Sequence, residues 1–238
     1  AGMIHGQDID PNANPVNPLP PVVLALFMII IGIECVMVLG AEGLMGGPQA
    51  VGWRLETIQR FAFSGPVFDW MVENNRWPPE HLIRFFSYPF ISTGFTHALF
   101  VGVILLAMGK VVGEAFGGLA TLIMFLVSGA VGALAYAVFL DDPVPLIGGF
   151  PSVYGLIGGF TYLLWRKLSS VGARQERAFT LIAFLMAFQL LFGLLFGAQK
   201  DWVADLAGFA TGFALSSVMV PGTLARWLRR LRGENSGP

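Results

Sequence analysis

Long apolar stretches separated by short polar connections make up most of the chain. Six of them contain at most one charged residue, and they cover residues 21–40, 85–109, 115–140, 143–165, 178–199 and 202–225. A helix of about 20 apolar residues is long enough to cross the hydrocarbon core of a bilayer. The pattern therefore predicts six transmembrane helices and an all-α membrane protein.

The connection between the first two stretches, residues 46–84, has a different pattern. Apolar and aromatic side chains recur at intervals of three and four residues in the segments 53–63 and 67–71. That period is typical of short amphipathic helices that lie in the membrane interface. We expect a structured interfacial loop between helices 1 and 2.

The composition supports the membrane assignment. Hydrophobic residues make up 55% of the chain and charged residues 12%, and the mean hydropathy is +0.69. So few charges cannot cover the surface of a soluble domain of this length. The single cysteine, Cys35, excludes an internal disulfide and a cysteine-based metal cluster. We predict no metal site, cofactor or nucleic-acid partner.

The basic residues predict an orientation in the membrane. They follow the second, fourth and sixth stretches, at Lys110, at Arg166, Lys167, Arg174 and Arg177, and at Arg226, Arg229, Arg230 and Arg232. Asp141 and Asp142 follow the third stretch instead. The positive-inside rule then places both termini in the cytoplasm, an arrangement that suits a bacterial inner membrane.

The polar segments divide the chain into three parts. Residues 1–20 form a polar, proline-rich tail, residues 21–222 the membrane domain, and residues 223–238 a basic tail. The first part cannot bury enough apolar surface to fold alone. It is either a solvated leader or a segment that docks on a larger membrane complex.

Three ionisable residues, Glu34, His97 and Asp205, lie inside apolar stretches. Such a group is costly in a membrane unless it pairs or faces the interior of the bundle. Glu34 has no second acid or histidine at helical spacing, which favours a hydrogen bond to a neighbouring helix over a proton relay. A lone His97 also favours a structural role. A small transporter or proton path remains an alternative, and it requires all three residues to line one cavity.

Glycines recur along the fourth stretch. Gly148, Gly155 and Gly159 fall on nearly one face of the predicted helix, and small residues allow helices to approach closely in lipid. We expect this helix to lie at the centre of the bundle.

The same stretch resembles a family signature. Gly148 is followed by Tyr-Gly-Leu at 154–156, which resembles the rhomboid intramembrane protease motif of Gly-x-Ser-Gly followed by an aromatic residue, glycine and leucine. The resemblance implies that Phe150 stands at the position of the nucleophilic serine. Pro151 then stands at the position of the glycine that follows it.

The second stretch extends the resemblance. It matches the family pattern at Arg84, Ser87, Phe90, Gly94, His97 and Phe100. Ser92 replaces a histidine of the pattern, and Val101 replaces the asparagine that helps to hold the oxyanion in active members. Glu114 resembles the acid that closes this helix and is interpreted as structural, like Arg84.

The sixth stretch resembles the family sequence Ala-His-x-x-Gly-x-x-x-Gly at Ala204, Gly208 and Gly212. The match places Asp205 where active members have the general base. The resemblance also implies that the small residues let this helix pack tightly on the fourth. The glycines of the two helices, Gly155, Gly159, Gly208 and Gly212, are interpreted as structural.

The resemblance as a whole implies a six-helix rhomboid-like bundle that is a pseudoprotease and not an enzyme. The nucleophile, base and oxyanion positions hold Phe150, Asp205 and Val101. Inactive rhomboids bind other membrane proteins, so the expected function is binding of a client, or a role as a subunit or assembly factor of a membrane complex. The expected binding residues are Phe150, Ser152, Asp205, His97 and Glu34.

An active intramembrane serine protease that uses Ser152 is the alternative. Successive residues of an α-helix rotate by about 100°, so Ser152 points roughly 200° away from Phe150. Pro151 favours the first turn of a helix, where Ser152 is better interpreted as a cap or packing residue.

Overall fold

The structure is a computed structural model that describes residues 18–140, 142–187 and 200–219. Its α-helices in chain order are α1 Pro21–Ala41, α2 Trp53–Phe61, α3 Gly65–Glu73, α4 Pro79–Leu82, α5 Arg84–Ser87, α6 Phe95–Phe116, α7 Gly118–Phe139, α8 Phe150–Ser170, α9 over 180–187, and α10 Trp202–Met219. Short 3-10 helices cover Pro48–Gly52, Tyr88–Phe90 and Gln175–Phe179. Apart from one isolated β-bridge, the regular structure of these residues is helical. The prediction of an all-α membrane protein is confirmed.

Four of the described helices, α1, α6, α7 and α10, are long and apolar enough to cross a membrane. Helix α8 has 21 residues but ends in a polar turn at 166–170. Part of the predicted fifth stretch and most of the N-terminal tail lie outside the described residues, as do the end of the sixth stretch and the whole C-terminal tail. The count of six spans and the cytoplasmic location of the termini therefore stay predictions.

Helix α8 lies at the centre of the bundle and packs against α6, α7 and α10. Every residue from 151 to 159 is buried. Burial on all sides means that other helices, and not lipid, surround this part of α8. The central position predicted from the glycine pattern is confirmed.

Helices α8 and α10 are in backbone contact. A Cβ at Gly208 would overlap the carbonyl oxygen of Pro151, and a Cβ at Gly212 would overlap that of Gly155. On its other side α8 meets α7, where a Cβ at Gly155 would overlap Ser128 and one at Gly159 would lie 2.7 Å from Sδ of Met124. Small residues therefore allow the central helix to approach two neighbours at once.

Gly148 does not share this helical face, so that part of the sequence interpretation is wrong. Helix α8 begins only at Phe150, and Gly148 precedes it with a φ of 105°, a conformation that favours glycine. Its N–H donates to the carbonyl of Tyr88 at 3.1 Å. The early helix start predicted from hydropathy fails because residues 143–149 form an irregular segment instead.

The connection between α1 and α6 contains the short helices that its periodicity predicts, α2 to α5. An antiparallel bridge joins Phe63 to Leu146 through backbone hydrogen bonds of 2.8 and 3.2 Å. The Ser87 hydroxyl donates to the carbonyl of Phe61 at 2.8 Å. These bonds attach the loop to the segment that leads into α8.

Candidate functional site

A polar cavity of about 350 Å³ lies where α6, α8 and α10 begin. Its polar lining side chains are Thr93, His97, Asp201 and Asp205, and Phe150 lines it as well. The irregular segment before α8 completes the wall. Residues far apart in the sequence thus meet at one end of the central helix.

The His97 ring is held by three neighbours. Its Nδ1 lies 2.8 Å from Oγ1 of Thr93, and the ring of Phe150 stacks on it with centroids 4.9 Å apart and planes 14° apart. A Cβ at Gly148 would overlap the imidazole, so the absence of a side chain at this glycine leaves the space for it. Nε2 is buried and makes no hydrogen bond with any residue that the structure describes.

Ser152 lies outside the cavity. It is fully buried, and its Oγ points at α7, where a Cβ at Gly129 would overlap it. That hydroxyl makes no hydrogen bond within the described part of the chain. Phe150 and Ser152 therefore face different directions, as the rotation of an α-helix requires.

Val101 contributes a hydrophobic contact beneath the start of α8. It is fully buried, and a Cβ at Gly149 would lie 2.8 Å from its Cγ1. An isopropyl group can pack there but cannot donate a hydrogen bond.

Two carboxylates line the cavity, that of Asp205 in α10 and that of Asp201 just before this helix. Asp205 is fully buried. Its backbone N–H donates to the backbone carbonyl of Asp201, one helical turn earlier, at 3.1 Å. Burial, together with the nearby Asp142 carboxylate, raises the pKa of Asp201 to about 6. Asp142 itself accepts from the Val144 N–H at 3.0 Å and lies 3.4 Å from Nζ of Lys200.

Sequence reasoning missed Asp201 and Thr93 as cavity residues. Each lies four residues before a predicted site residue, Asp201 before Asp205 and Thr93 before His97. Spacing of four places two side chains on the same face of a helix. That spacing was an available signal for Asp201.

We expect Asp201→Asn to stabilise the protein at pH 8 but not at pH 4. Because its pKa is raised in the folded state, the ionised carboxylate destabilises that state as the pH rises from about 4 through about 6. A shift of this size corresponds to at most about 3 kcal/mol. Thermal unfolding in detergent at both pH values measures the difference. The exposed Asp69 serves as the control in Asp69→Asn, and an equal gain at both pH values would contradict the assignment.

Glu34 is held elsewhere, in an ion pair between α1 and α2. The guanidinium of Arg54 donates to its two carboxylate oxygens at 3.0 and 2.7 Å and to the carbonyl of Ser92 at 2.7 Å. Glu34 does not line the cavity that contains His97 and Asp205. The transporter or proton-path alternative requires Glu34, His97 and Asp205 to line one cavity, and the structure does not meet this requirement.

The expected binding residues therefore separate into two groups. Phe150, His97 and Asp205 line the cavity, whereas Ser152 and Glu34 do not. Of the residues interpreted as structural, Arg84 lies 3.5 Å from the carbonyl of Ala62. Glu114 is exposed in the last turn of α6.

Comparison with known proteins gives two matches. A family model described as Rhomboid domain matches residues 79–222. RHOMBOID-like protein 4 of Arabidopsis thaliana is 28% identical over 158 residues, which represent 65% of this chain and 38% of the plant protein. The chain therefore matches well under half of the length of that relative.

Proposed function

The chain belongs to the rhomboid family, and on that premise we propose that it is a member without proteolytic activity that binds other membrane proteins. The observation that carries the proposal is the stacking of Phe150 on His97 inside the cavity. A ring fills the place where the family resemblance puts the attacking hydroxyl.

Serine catalysis requires a hydroxyl within hydrogen-bond reach of a base and donors for the oxyanion. Phe150 has no hydroxyl, and Val101 has no donor for an oxyanion. Asp205 stands where the resemblance puts the base. Ser152 supplies a hydroxyl near this end of α8, but its Oγ packs against α7. These positions support a loss of the protease chemistry with retention of the fold.

The chemistry of the cavity suits a basic side chain of a client. Asp201 and Asp205 supply carboxylates, and Thr93 supplies a hydroxyl. A space of about 350 Å³ is large enough for one long side chain and too small for a helix. An arginine or lysine of a client transmembrane segment pairs with an acid that is protected from water. We propose that client recognition takes place here.

Photo-crosslinking tests the proposal in native membranes. With p-benzoylphenylalanine in place of Phe150, we expect covalent adducts with discrete membrane proteins, because this side chain lines the cavity. Asp205→Asn in the same protein is expected to reduce the adducts about tenfold, since a charge-assisted hydrogen bond is lost. Asp69→Asn, which changes an exposed carboxylate, is expected to leave them unchanged.

The control position is Phe100, which is 61% exposed on α6. Adducts at position 150 that match those at position 100, or that are insensitive to Asp205→Asn in a protein of unchanged thermal stability, would contradict client binding in the cavity.

A further inference from the structure

A second cavity, of about 570 Å³, lies on the loop between α1 and α6 and contains several hydrogen-bond donors. Arg60, His81 and Arg84 supply them, and Phe61, Glu80 and Ile83 form further parts of the wall. None of these residues lines the cavity at the start of α8. Neither the family resemblance nor the proposed client binding assigns a role to this second cavity.

Two polar atoms of this cavity lack the partners that buried polar atoms normally have. Nε of Arg84 and Nδ1 of His81 are buried and make no hydrogen bond with the described residues. Among the described residues, the Arg84 side chain makes one hydrogen bond, to the carbonyl of Ala62, and it is long at 3.5 Å. Buried polar atoms without a protein partner commonly mark the place of a missing water, ion or ligand.

The charges of the cavity favour an anion. Two guanidinium groups, of Arg60 and Arg84, face a single carboxylate, that of Glu80. Burial lowers the pKa of Arg84, and Glu80 opposes that effect. The Arg60 guanidinium lies 5.3 Å from the centroid of the Phe61 ring, which holds it near the cavity. One carboxylate cannot neutralise both cations, so the lining keeps a net positive charge.

The surroundings indicate where the anion comes from. Ile83 is 51% exposed and Phe86 is 48% exposed, and Trp70 and Trp77 are exposed on the same loop. Aliphatic and aromatic side chains of this kind insert at the boundary between lipid headgroups and acyl chains. The cavity then lies at the depth of the phosphate groups, and guanidinium binds phosphate through paired hydrogen bonds.

We propose that this cavity binds a phosphate group through Arg60, His81 and Arg84, carried by an anionic phospholipid or by a free phosphate ion. In the complex the His81 ring carries its proton on Nδ1, and this N–H donates a hydrogen bond to the phosphate. Its ring is positioned by an edge contact with Trp70, with centroids 6.1 Å apart.

Native mass spectrometry of the full chain in detergent, titrated with phosphatidylglycerol, measures the site. Arg60→Gln is expected to weaken binding of this lipid about tenfold, because a hydrogen bond to a charged group is lost. Arg84→Gln is expected to do the same. Arg76→Gln is the matched control, since Arg76 is exposed on the same loop and does not line the cavity. Because Arg60 is exposed as well, its replacement tests the site even if Arg84→Gln fails to fold.

A second titration with inorganic phosphate, followed by thermal unfolding, distinguishes the two sources. Loss of phosphatidylglycerol binding in Arg60→Gln assigns the site to a lipid headgroup. A phosphate-dependent stabilisation that Arg60→Gln abolishes and Arg76→Gln retains assigns it to free phosphate. If neither ligand distinguishes Arg60→Gln from Arg76→Gln, the proposal is overturned.

Discussion

Gly212→Ala is expected to lower the free energy of unfolding by at least about 3 kcal/mol, at the upper end of the cost of overpacking a core. The added Cβ would overlap the carbonyl oxygen of Gly155. That atom belongs to the backbone of the central helix, so no side-chain rotation relieves the clash. Helices α8 and α10 must separate, and together they form the most extensive helix–helix contact of the described residues.

Gly32→Ala provides the matched control. Gly32 lies within α1, and a Cβ there would have no neighbour within 4 Å. Alanine is preferred to glycine in a helix by about 1 kcal/mol, so this change is expected to be neutral or stabilising. Unfolding in mixed micelles with increasing SDS compares the two variants. Equal stability of both would show that α8 and α10 are not in backbone contact.

Arg54→Met is expected to cost about 3–5 kcal/mol, the usual effect of removing one partner from a buried ion pair. Glu34 is 1% exposed and Arg54 is 26% exposed, so the remaining carboxylate cannot reach water. The carbonyl of Ser92 also loses its donor. The double variant Arg54→Met with Glu34→Leu is expected to recover most of the loss, because no buried charge remains.

The exposed pair of Arg174 and Glu176, with exposed fractions of 75% and 63%, is the control. Arg174→Met is expected to cost less than about 1 kcal/mol, as is typical of a surface salt bridge. Unfolding free energies of the three variants in the same micelles measure both effects. A cost of Arg54→Met no greater than that of Arg174→Met would show that the pair does not hold α1 to the loop.

Much of the architecture follows from local patterns in the sequence. Hydropathy locates four long apolar helices among the residues that the structure describes, and the three- to four-residue period predicts the short helices of the loop. The small residues at Gly208 and Gly212 indicate close packing of α10 on α8. These features depend on the size, polarity and spacing of side chains, and all three can be read directly from the sequence.

The orientation of the residues at the start of α8 also follows from local geometry. Rotation of about 100° per residue separates Phe150 from Ser152 once a helix is assumed. The sequence could not show that the Phe150 ring would stack on His97, because that contact joins two helices. It depends on the conformation of Gly148, which the interpretation wrongly placed inside the helix.

Tertiary contacts between distant segments account for the remaining differences. Glu34 bonds to a neighbouring helix as expected, but the sequence did not indicate that this helix is α2 of the loop and that the partner is Arg54, 20 residues away. Neither residue alone indicates the other. The proximity of Asp201 to Asp142 is also a tertiary contact. The spacing of four residues between Asp201 and Asp205 indicates a shared helix face but not this neighbour.

Labelling with a fluorophosphonate probe tests most directly the central claim that the rhomboid fold of this chain has no serine nucleophile. The purified protein and its Ser152→Ala variant are incubated with the probe, and active serine hydrolases of the same membranes serve as the positive control. We predict no covalent adduct on either protein, because the Ser152 hydroxyl is buried against Gly129 of α7. An adduct on the native protein that is absent from Ser152→Ala would contradict the claim.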